Sequence, residues 1–478
     1  MPAIITKKLK RKIAQDIFNE ANALGGAPST TFYVGIGKSE PYDSAENVTT
    51  PIDSRRQERN LRAALQSMKS AQDCSFVIPR HNWTSGNKYQ GFDDTFATTP
   101  TTNSYYVLTE DNQVYVCLKP SKDANGVIQP STQKPVGTST RAFKLADGYV
   151  WKYLYSMTAA NANKFLSANF LPVQKQLDAA TLGAPLSVLE QLQENVQDSA
   201  VPGQILGVVM TNTGSGYVDA SPPTVTIQGD GIITPSITAT VSGGSVTKIE
   251  LDSSLDSAIQ MGRGFNFASV NIPTPDSAGG IQATARVIIG PDSGIGGDAR
   301  TDLLSTSLMF NTKPTGAEGG DFIVGNDFRQ VALFKNVFRA DSSSTSNTVI
   351  TPKFGSATGR AIRFLEVTDA AQAANFNVDN LIEGATSKAK GLVDEVVGAK
   401  IYFHQTEQTG FHNFVENETI EAGGQQATTI IPTTGSNSRA DSADDINFLS
   451  GELLYIENRA PVVRSTDQTE DIKVVITL

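Results

Sequence analysis

The chain has 478 residues, of which 39% are hydrophobic and 18% charged, and its formal net charge at pH 7 is −10. The length suits roughly three domains, and the composition is typical of a folded globular protein and excludes a disordered one. The acidic balance argues against nucleic acid or an anionic membrane as the main partner, because both favour a basic surface.

The first predicted element is a helix over residues 6–24, with the glycines at 25–26 as its C-terminal stop. Apolar side chains recur on one helical face, at Leu9, Ile13, Ile17, Ala21 and Leu24. The segment "TKKLKRK", from Thr6 to Lys12, adds five cations. These cations are predicted to form a solvated helix face, with contact to phosphate or to an acidic protein as the alternative.

Two more helices are predicted further along the chain. One runs over Ser54–Ala71 with Ser54 as its N-cap. The other is a short helix within Ala180–Gln197. Gly183 and Pro185 disfavour a helical conformation in this segment. The two cysteines, Cys74 and Cys117, have no metal-site or disulfide spacing and are predicted to be buried free thiols.

Most of the remaining chain has the pattern of short strands. From Phe76 to Met157, runs such as "SYYVLT", "QVYVCL" and "GYVWKYLY" alternate with Gly, Asn, Asp and Pro turns, which indicates an antiparallel sheet or sandwich. Residues 325–338 have the same character. Near the end, Leu453–Ile456 is a short apolar run, and apolar residues alternate from Ile472 to Leu478, which predicts a half-buried closing strand.

An internal repeat occupies residues 200–298. Three positions of a Gly-x-Gly-aromatic motif match between its two copies, namely Gly214, Gly216 and Tyr217 with Gly262, Gly264 and Phe265. Glycine lets the backbone bend where other residues clash, and the ring is then placed over the next strand. Each copy is predicted to be one β module, and the pair forms a first insert.

A second repeat lies within residues 361–438, where "FNVDNLIEGATSKAKGLV" aligns without gaps to "FVENETIEAGGQQATTII". The matching pairs are Phe376 with Phe414, Ile382 with Ile420, Glu383 with Glu421, and Ala389 with Ala427. Two units that cannot bury their apolar faces alone are predicted to form one small barrel or sandwich.

The predicted fold class is mainly β with a few helices, α+β in its N-terminal part, and multidomain with antiparallel sandwich-like domains that carry small β inserts. The predicted segments are 1–175 (core, N-terminal helix then β), 176–199 (helical linker), 200–298 (first insert), 299–360 (core), 361–438 (second insert) and 439–478 (C-terminal core strands).

Candidate catalytic and metal-binding residues are few. His404 and His412 with Glu407 between them are a candidate metal pair, but their strand-and-loop setting favours a structural role. The cluster Arg80–Trp83 contains His81 and is a candidate site, for which a buried Trp with hydrogen-bonded neighbours is the favoured interpretation.

Carboxylate pairs are the remaining candidates for chemistry. Asp93-Asp94 and Asp444-Asp445 are weak signals for glycoside hydrolysis, which needs two carboxylates across a sugar bond. Phosphate-loop, dinucleotide and nucleophile-elbow motifs do not occur in the sequence. No catalytic, cofactor-binding or metal residues are therefore predicted. We also expect no signal peptide and no membrane span.

The last residues, "SGELLYIENRAPVVRSTDQTEDIKVVITL" from Ser450, carry "SGE", "Y", "ENR-P" and "DQTE" elements in that order. Five further blocks are "GIGKSEPY" from Gly35, "VIPRHNW" from Val77, "VYVCL" from Val114, "DGYVWKYLY" from Asp147 and "FRQVALFKN" from Phe328. Together they resemble the gene-eight baseplate wedge proteins of T-even-type contractile-tailed phages (myoviruses). The resemblance covers about residues 1–175, 300–345 and 440–478, and neither insert.

The resemblance implies a non-enzymatic, multidomain and mostly β virion protein that forms a homodimer. It implies contacts with other baseplate wedge proteins in a hexagonal baseplate, whose rearrangement triggers sheath contraction. Such a late protein is assembled in the reducing host cytoplasm and resides in the viral tail. No cofactor, nucleic acid, membrane or small-molecule substrate is expected. The inserts resemble repeated β modules in virion proteins of marine T-even-like phages.

Two alternative functions remain open from the sequence. The first is a carbohydrate-binding or glycan-degrading tail protein, in which exposed rings of Tyr217, Phe265 and Trp83 would stack on sugars. The second is a connector that contacts DNA through the cations at Lys7–Lys12. The net negative charge of the chain disfavours this function.

Overall fold

A computed structural model describes residues 3–22, 31–71, 73–98, 100, 102–251, 261–275, 277–340, 353–430 and 441–478. Strands account for 38% of the described residues and helices for 13%, so the predicted mainly β, multidomain fold class is confirmed. The chain divides into two compact units. Unit 1 comprises Met1–Gln15, Ser75–Met309 and Thr477–Leu478, and unit 2 comprises Asp16–Cys74 and Phe310–Ile476. The boundaries of the six predicted segments stay predictions.

The elements up to residue 198 are α1 (Lys7–Ala21), β1 (Phe32–Gly37), α2 (Arg55–Ala63), β2 (Leu65–Ser70), β3 (Asp73–Pro79), β4 (Tyr106–Leu108), β5 (Gln113–Lys119), β6 (Phe143–Lys144), β7 (Val150–Ser156), α3 (Ala159–Phe165), β8 (Phe170–Val173), α4 (Ala179–Leu182) and α5 (Val188–Asp198). The first insert contains β9 (Ile205–Asn212), β10 (Thr226–Gly229), β11 (Ile237–Ser242), β12 (Ser245–Leu251), β13 (Ala268–Asn271) and β14 (Thr284–Ile289).

After the first insert come α6 (Ala299–Asp302), β15 (Ser307–Thr312), a 3-10 turn (Glu318–Gly320), β16 (Asp327–Lys335) and β17 (Thr358–Arg360). The second insert contains β18 (Arg363–Val367), α7 (Ala370–Ala373), β19 (Leu381–Gly384), β20 (Lys390–Val397), β21 (Lys400–His404), β22 (Thr419–Ala422) and β23 (Gln425–Ile430). The last strands are β24 (Asp441–Ala443), β25 (Glu452–Val463) and β26 (Ile472–Thr477).

Two helix predictions need correction. The helix predicted over Ser54–Ala71 has the expected Ser54 cap but ends at Ala63, and Leu65–Ser70 is strand β2. Leu65 and Met68 are buried there, so pairing with β1 outweighs a helical propensity that is only a weak preference. The candidate at 180–197 is two helices, because Gly183 adopts a left-handed conformation and ends α4.

Unit 1 contains an antiparallel sheet in the order β4-β5-β7-β6. Its strands come from the predicted "YVL", "QVYVCL" and "VWKYLY" runs, and all seven residues of β7 are buried. An aromatic core lies against this sheet, composed of Tyr89, Val107, Tyr115, Cys117, Tyr149, Trp151, Tyr153 and Val196. Burial of this aromatic surface accounts for the strand-forming pattern of the sequence.

The first insert consists of two-stranded antiparallel sheets, β9 with β14, β10 with β13, and β11 with β12. The predicted glycine turns are confirmed, since all four motif glycines have φ between 63° and 87°. A Cβ on Gly214 would lie 2.5 Å from the carbonyl oxygen of Ile281, and a Cβ on Gly262 would lie 2.5 Å from that of Ile233. Backbone therefore approaches too closely for a side chain at both turns.

Unit 2 contains a five-stranded antiparallel sheet in the order β17-β2-β1-β16-β25. Strand β1 lies at its centre, and every residue of the strand is buried. Beside this sheet is a core of Tyr33, Leu61, Leu65, Met68, Ala332, Phe334, Val337, Phe354, Ala361 and Ile446. Strand β25 forms one edge of the sheet.

The second insert is a closed barrel, one of the two predicted outcomes. Six strands pair in the ring β18-β21-β20-β19-β22-β23 and back to β18, and β24 pairs with the other end of β18. The interior holds all six matched apolar repeat residues: Phe376, Phe414, Ile382, Ile420, Ala389 and Ala427. The two repeats therefore share one core.

The two hairpins of the barrel differ in register, although their sequences align without gaps. Ile382 pairs with Gly391, whereas its counterpart Ile420 pairs with Ala427. The second hairpin turns through Gly423 and Gly424, which both have positive φ, and needs fewer residues. Ala389 and Ala427 are therefore both buried but do not occupy equivalent pairing positions.

Candidate interaction surfaces

The C-terminal stretch that carries the resemblance forms the exposed edge of the unit 2 sheet. Strand β25 has twelve residues, none of them buried. It contains Pro461, which lacks an N–H donor and is tolerated at sheet edges. Apolar side chains border the strand, with Leu449 60% exposed, Leu454 39% and Val463 62%. Long apolar edge strands attract further strands or chains.

One half of this edge is covered within unit 2. The Tyr42 hydroxyl donates to the carbonyl of Arg459 (3.2 Å) and accepts from its N–H (3.1 Å). The Asn458 side chain donates to the carbonyl of Thr49 (2.7 Å). Across the other half, Glu452–Glu457, the described residues supply no backbone partner besides β16. A bulge places Leu454 outside the ladder, and this half is the open part of the edge.

Helix α1 confirms the prediction over Lys7–Ala21, while Leu24 and the glycine stop lie outside the described residues. The first half of its predicted apolar face is exposed in the structure, with Leu9 51% and Ile13 43% accessible, whereas Ile17 and Ala21 are half-buried. Ala14 is the residue of α1 that is fully buried. The packed side of the helix therefore includes only the C-terminal half of the predicted apolar face.

Two basic side chains at the start of α1 make contacts in unit 1. Lys7 donates to the carbonyls of Asp94 (3.0 Å) and Phe96, and Lys8 lies 3.3 Å from Asp292. Burial lowers the pKa of Lys7, and the nearby carboxylate of Asp94 opposes that effect. Part of the basic segment therefore makes internal contacts in unit 1 and is not a free cationic surface.

The first carboxylate pair is bound by an arginine of the first insert. Arg286 donates to Asp93, and its other terminal nitrogen lies 3.6 Å from Asp94. Burial acts against the charged form of Asp93, yet bonds from Arg286 and Thr95 lower its pKa overall. Burial and the neighbouring Asp93 raise the pKa of Asp94. The carboxylate pair therefore connects the first insert to the rest of unit 1.

The second carboxylate pair likewise makes structural contacts. Asp444 accepts from the Tyr402 hydroxyl and pairs with Lys400 of the barrel. Asp445 accepts from the backbone N–H of Arg360 at 2.9 Å. Both carboxylates hold the chain where it leaves the second insert.

His404 is buried, with 4% of its surface exposed. Its Nδ1 lies 2.6 Å from Asp394 Oδ2, and its Nε2 lies 3.3 Å from Glu40 Oε1. The Ser39 hydroxyl donates to the other oxygen of Asp394 (2.9 Å). Burial alone would lower the pKa of His404, but the two carboxylates outweigh it and raise the pKa to about 10. A charged His404 therefore joins the barrel to the "GIGKSEPY" loop.

The structure does not bring His404 and His412 together as metal ligands. His412 is exposed, and Glu407 binds Arg56 and Arg59 instead. Over the described ranges, no three His, Cys, Asp or Glu side chains converge in the way that a metal ion requires. Sequence reasoning missed Asp394 and Glu40, because the cluster joins two segments far apart in sequence, with Ser39 and Asp394 separated by 355 positions.

The Arg80–Trp83 cluster lies beside an open groove of about 720 Å³ in unit 1. The indole of Trp83 is half-buried and donates to the Ser131 hydroxyl at 3.3 Å, and Glu110 and Lys134 line the opposite part of the groove. The ring of His81 packs edge-on against Tyr106, and burial lowers its pKa. The rings of Tyr217 (5% exposed) and Phe265 (4%) are buried, so they offer no sugar-stacking surface.

The two cysteines, Cys74 and Cys117, are free and buried, as predicted, and burial raises the pKa of both thiols. Neither thiol is activated for nucleophilic chemistry, since the thiolate is the reactive form. The helices that the structure describes include none long and apolar enough to cross a membrane.

No protein-family model matches the chain, and no curated protein is significantly similar to it.

Proposed function

We propose that this chain is a structural subunit of the baseplate wedge of a contractile phage tail. In this role it acts through protein interfaces in assembly and in the rearrangement that triggers sheath contraction, without catalysis. The observation that supports the proposal best is the open edge of β25, because the stretch with the strongest family resemblance supplies a surface suited to another protein chain.

The further blocks of the resemblance support the same proposal. "GIGKSEPY" contributes to β1 and the loop that binds the barrel, "VYVCL" to β5, "DGYVWKYLY" to β7 and "FRQVALFKN" to β16. All of these strands lie in the sheets of the two units and none lies in an insert. The resembling segments thus form a scaffold on which both inserts are carried.

The proposed partner at the β25 edge is a second copy of the chain. A two-fold axis at the open half would place two identical edges side by side, which is the commonest form of homodimer. The exposed Leu454 side chain would then lose its contact with water, which stabilises association. The region around Tyr42 would stay outside this contact.

Sedimentation velocity of the full chain tests the dimer. We expect a dimer for the native chain and a monomer for Leu454→Lys, which places a charge at the centre of the contact. Val127→Lys is the control, since Val127 is 51% exposed in a loop of unit 1. A native monomer, or a Leu454→Lys dimer as stable as the control, would contradict the proposed interface.

Mixing the chain with the other wedge proteins of the same phage tests the assembly role. A larger complex of fixed stoichiometry is expected, and continued sedimentation as separate species would count against a wedge subunit. We further propose that the inserts replace contacts that separate proteins make elsewhere. Normal wedge assembly by a chain that lacks residues 200–298 would argue against that role for the first insert.

A second candidate function is carbohydrate binding at the Trp83 groove, favoured by the half-buried indole among Arg80, Asn82, Glu110 and Lys134. Aromatic faces and hydrogen-bonding side chains together suit a sugar ring. The test is a glycan array probed with the native chain and with Trp83→Ala. Binding that is lost in the variant would favour this function over the structural one.

A further inference from the structure

A pocket of about 250 Å³ lies beside helix α2 in unit 2. Its lining combines guanidinium groups and apolar side chains with one carboxylate, Glu58, and the main groups are Arg55, Arg59, Arg62, Arg363, Phe411 and Leu449. Three of the arginines follow the helix at spacings of four and three residues, so they share one face of α2. The dimer contact proposed above, at Leu454 on the open half of β25, does not use this pocket.

The two inner arginines hold the structure together. Arg62 donates to the carbonyls of Phe448, Ser450 and Gly451 at 2.6–2.9 Å, and its side chain is 8% exposed. Arg363 donates to the Gln405 side chain at 2.9 Å and lies 3.5 Å from Asp441. Both groups are buried and paired with carboxylates, Arg62 with Glu58 at 3.0 Å and Arg363 with Asp441, so they shape the pocket, and the charge left for a ligand comes from the outer arginines.

The two outer arginines remain accessible at the rim. The side chain of Arg55 is 96% exposed, and its nearest carboxylate among the described residues is Glu58 at 3.7 Å, which also pairs with Arg62. The side chain of Arg59 is 50% exposed and shares the carboxylate of Glu407 with Arg56. Both outer guanidinium groups therefore retain donors for an additional anion.

The position of Arg55 in the helix carries an electrostatic cost. It is the first residue of α2, where the partial positive charge of the helix N-terminus favours acidic side chains, and Glu58 in the first turn offsets only part of this cost because it pairs with both Arg55 and Arg62. Arg56 follows it in the same turn. An anion bound at the rim would be attracted by both arginines and by the helix, and would offset this repulsion.

Apolar surface lies directly beside these charges. The guanidinium of Arg59 covers the ring of Phe411 at 4.3 Å, and Leu449 is 60% exposed next to Phe448. A ligand for the whole pocket therefore needs a carboxylate for the arginine fork and an adjacent apolar group for Leu449 and the Phe rings.

We propose that this pocket binds an acidic peptide segment of a partner protein, in which Asp or Glu is adjacent to an apolar residue. A nucleic acid fits less well, because the charge is confined to one small pocket and does not follow a stripe along which a phosphate backbone could run. The net charge of −10 also disfavours binding of a nucleic acid. The proposal goes beyond the baseplate role and does not depend on it.

Fluorescence anisotropy of the full chain tests the proposal. The probe is the fluorescein-labelled peptide Gly-Glu-Leu-Glu-Phe-Gly, compared with a version that carries Gln for both Glu and with labelled decathymidylate. The variants are Arg55→Ala and the double variant Arg55→Ala/Arg59→Ala. Arg141→Ala is the matched control, because Arg141 is exposed in unit 1.

We expect the Glu peptide to bind at least about tenfold more tightly than the Gln peptide, and the double variant to lose about tenfold in affinity. Arg55→Ala should lose about threefold, and Arg141→Ala should bind as the native chain does. Arg55 is almost fully solvated, so its variant keeps the test valid even if the double variant folds poorly.

Three results would overturn the proposal. They are the absence of binding up to about 1 mM peptide, equal losses in Arg55→Ala and Arg141→Ala, and tighter arginine-dependent binding of decathymidylate. The last result would assign the pocket to nucleic acid. Because the test uses the chain alone, its failure would leave the dimer and wedge-assembly experiments unaffected.

Discussion

The two inserts are both built from internal repeats, yet they are stabilised in different ways. The barrel closes six strands around one cluster of thirteen buried residues. The first insert keeps its strands in separate two-stranded sheets. There, left-handed glycines such as Gly214 and Gly262 make the turns, and each turn is followed by a buried ring.

This difference teaches that sequence repetition alone does not determine how two copies associate. In the barrel three of the four matched pairs are apolar and all six of their side chains are buried, so the copies complete each other's core. In the first insert the matched residues are glycines and one ring per copy, which fix local backbone shape instead. A core substitution in the barrel should therefore destabilise all of its strands, whereas a substitution at a turn of the first insert should destabilise only the neighbouring residues.

The largest effect is expected for Phe403→Ala in the barrel. Phe403 is fully buried and packs edge-on against Phe414, so truncation should cost about 3–5 kcal/mol of unfolding free energy. Hydrogen exchange should rise in all six barrel strands together. Val397→Ala, at a 49% exposed position of β20, is the control. Faster exchange restricted to β20 and β21 would contradict a shared core.

The next effect concerns His404, whose charge joins the barrel to Ser39 and Glu40. Its pKa of about 10 in the folded chain lies above the ordinary value of about 6.5, so folding favours the protonated form. This stabilisation is complete below about pH 6.5 and is lost as the pH rises through 10.

Thermal melting at pH 6, 8 and 10 measures the contribution of His404. His404→Gln leaves Asp394 without its charged partner and should cost about 3 kcal/mol at pH 6. The variant should also melt with a weaker pH dependence than the native chain. Parallel pH profiles for the two proteins would mean that His404 is not the titrating group.

A smaller effect is expected for Gly214→Ala, with Gly243→Ala as the matched control. Both glycines have φ near 60°, which costs an alanine about 1 kcal/mol. Only Gly214 has backbone atoms within 3 Å of the added Cβ, so its variant should lose about 2 kcal/mol or more. Exchange near residues 212–217 and 281–284 is the measurement, and equal effects at the two glycines would argue against close backbone approach.

The smallest loss of stability is expected at Tyr217, where the two copies of the first insert differ by one hydroxyl group. The Tyr217 hydroxyl donates to the carbonyl of Pro273 and accepts from the N–H of Ala283, both at 2.9 Å. Its counterpart Phe265 has no hydroxyl. Tyr217→Phe should therefore cost about 1 kcal/mol, measured as a shift in the denaturation midpoint. No shift would mean that ring burial alone holds this module.

Local patterns predicted much of this architecture. The apolar period located α1, the Val- and Tyr-rich runs located β5 and β7, and the glycine motif located the turns of the first insert. The strand β2 could not be predicted in the same way, because "LQSMKS" has no β pattern and its conformation depends on pairing with β1.

The candidate surfaces were harder to predict, because they depend on residues far apart in sequence. An apolar pattern predicted a buried face over the whole of α1, but Leu9 and Ile13 are exposed, because the pattern does not indicate which part of the face has a neighbour in the fold. The arginine pocket had one local signal, four arginines in "RRQERNLR", but Phe411 and Leu449 join it only through the fold.

The pairing of β18 with β24 brings the start and the end of the barrel segment close together. Arg363 at the entrance is directly opposite Ala443 at the exit, so the chain leaves the barrel one strand spacing from where it entered. Excision of everything between them would leave two ends that a short turn can rejoin. The barrel therefore has the geometry of an inserted domain, which can be gained, exchanged or lost in a single step without a change in the strand order of the five-stranded sheet.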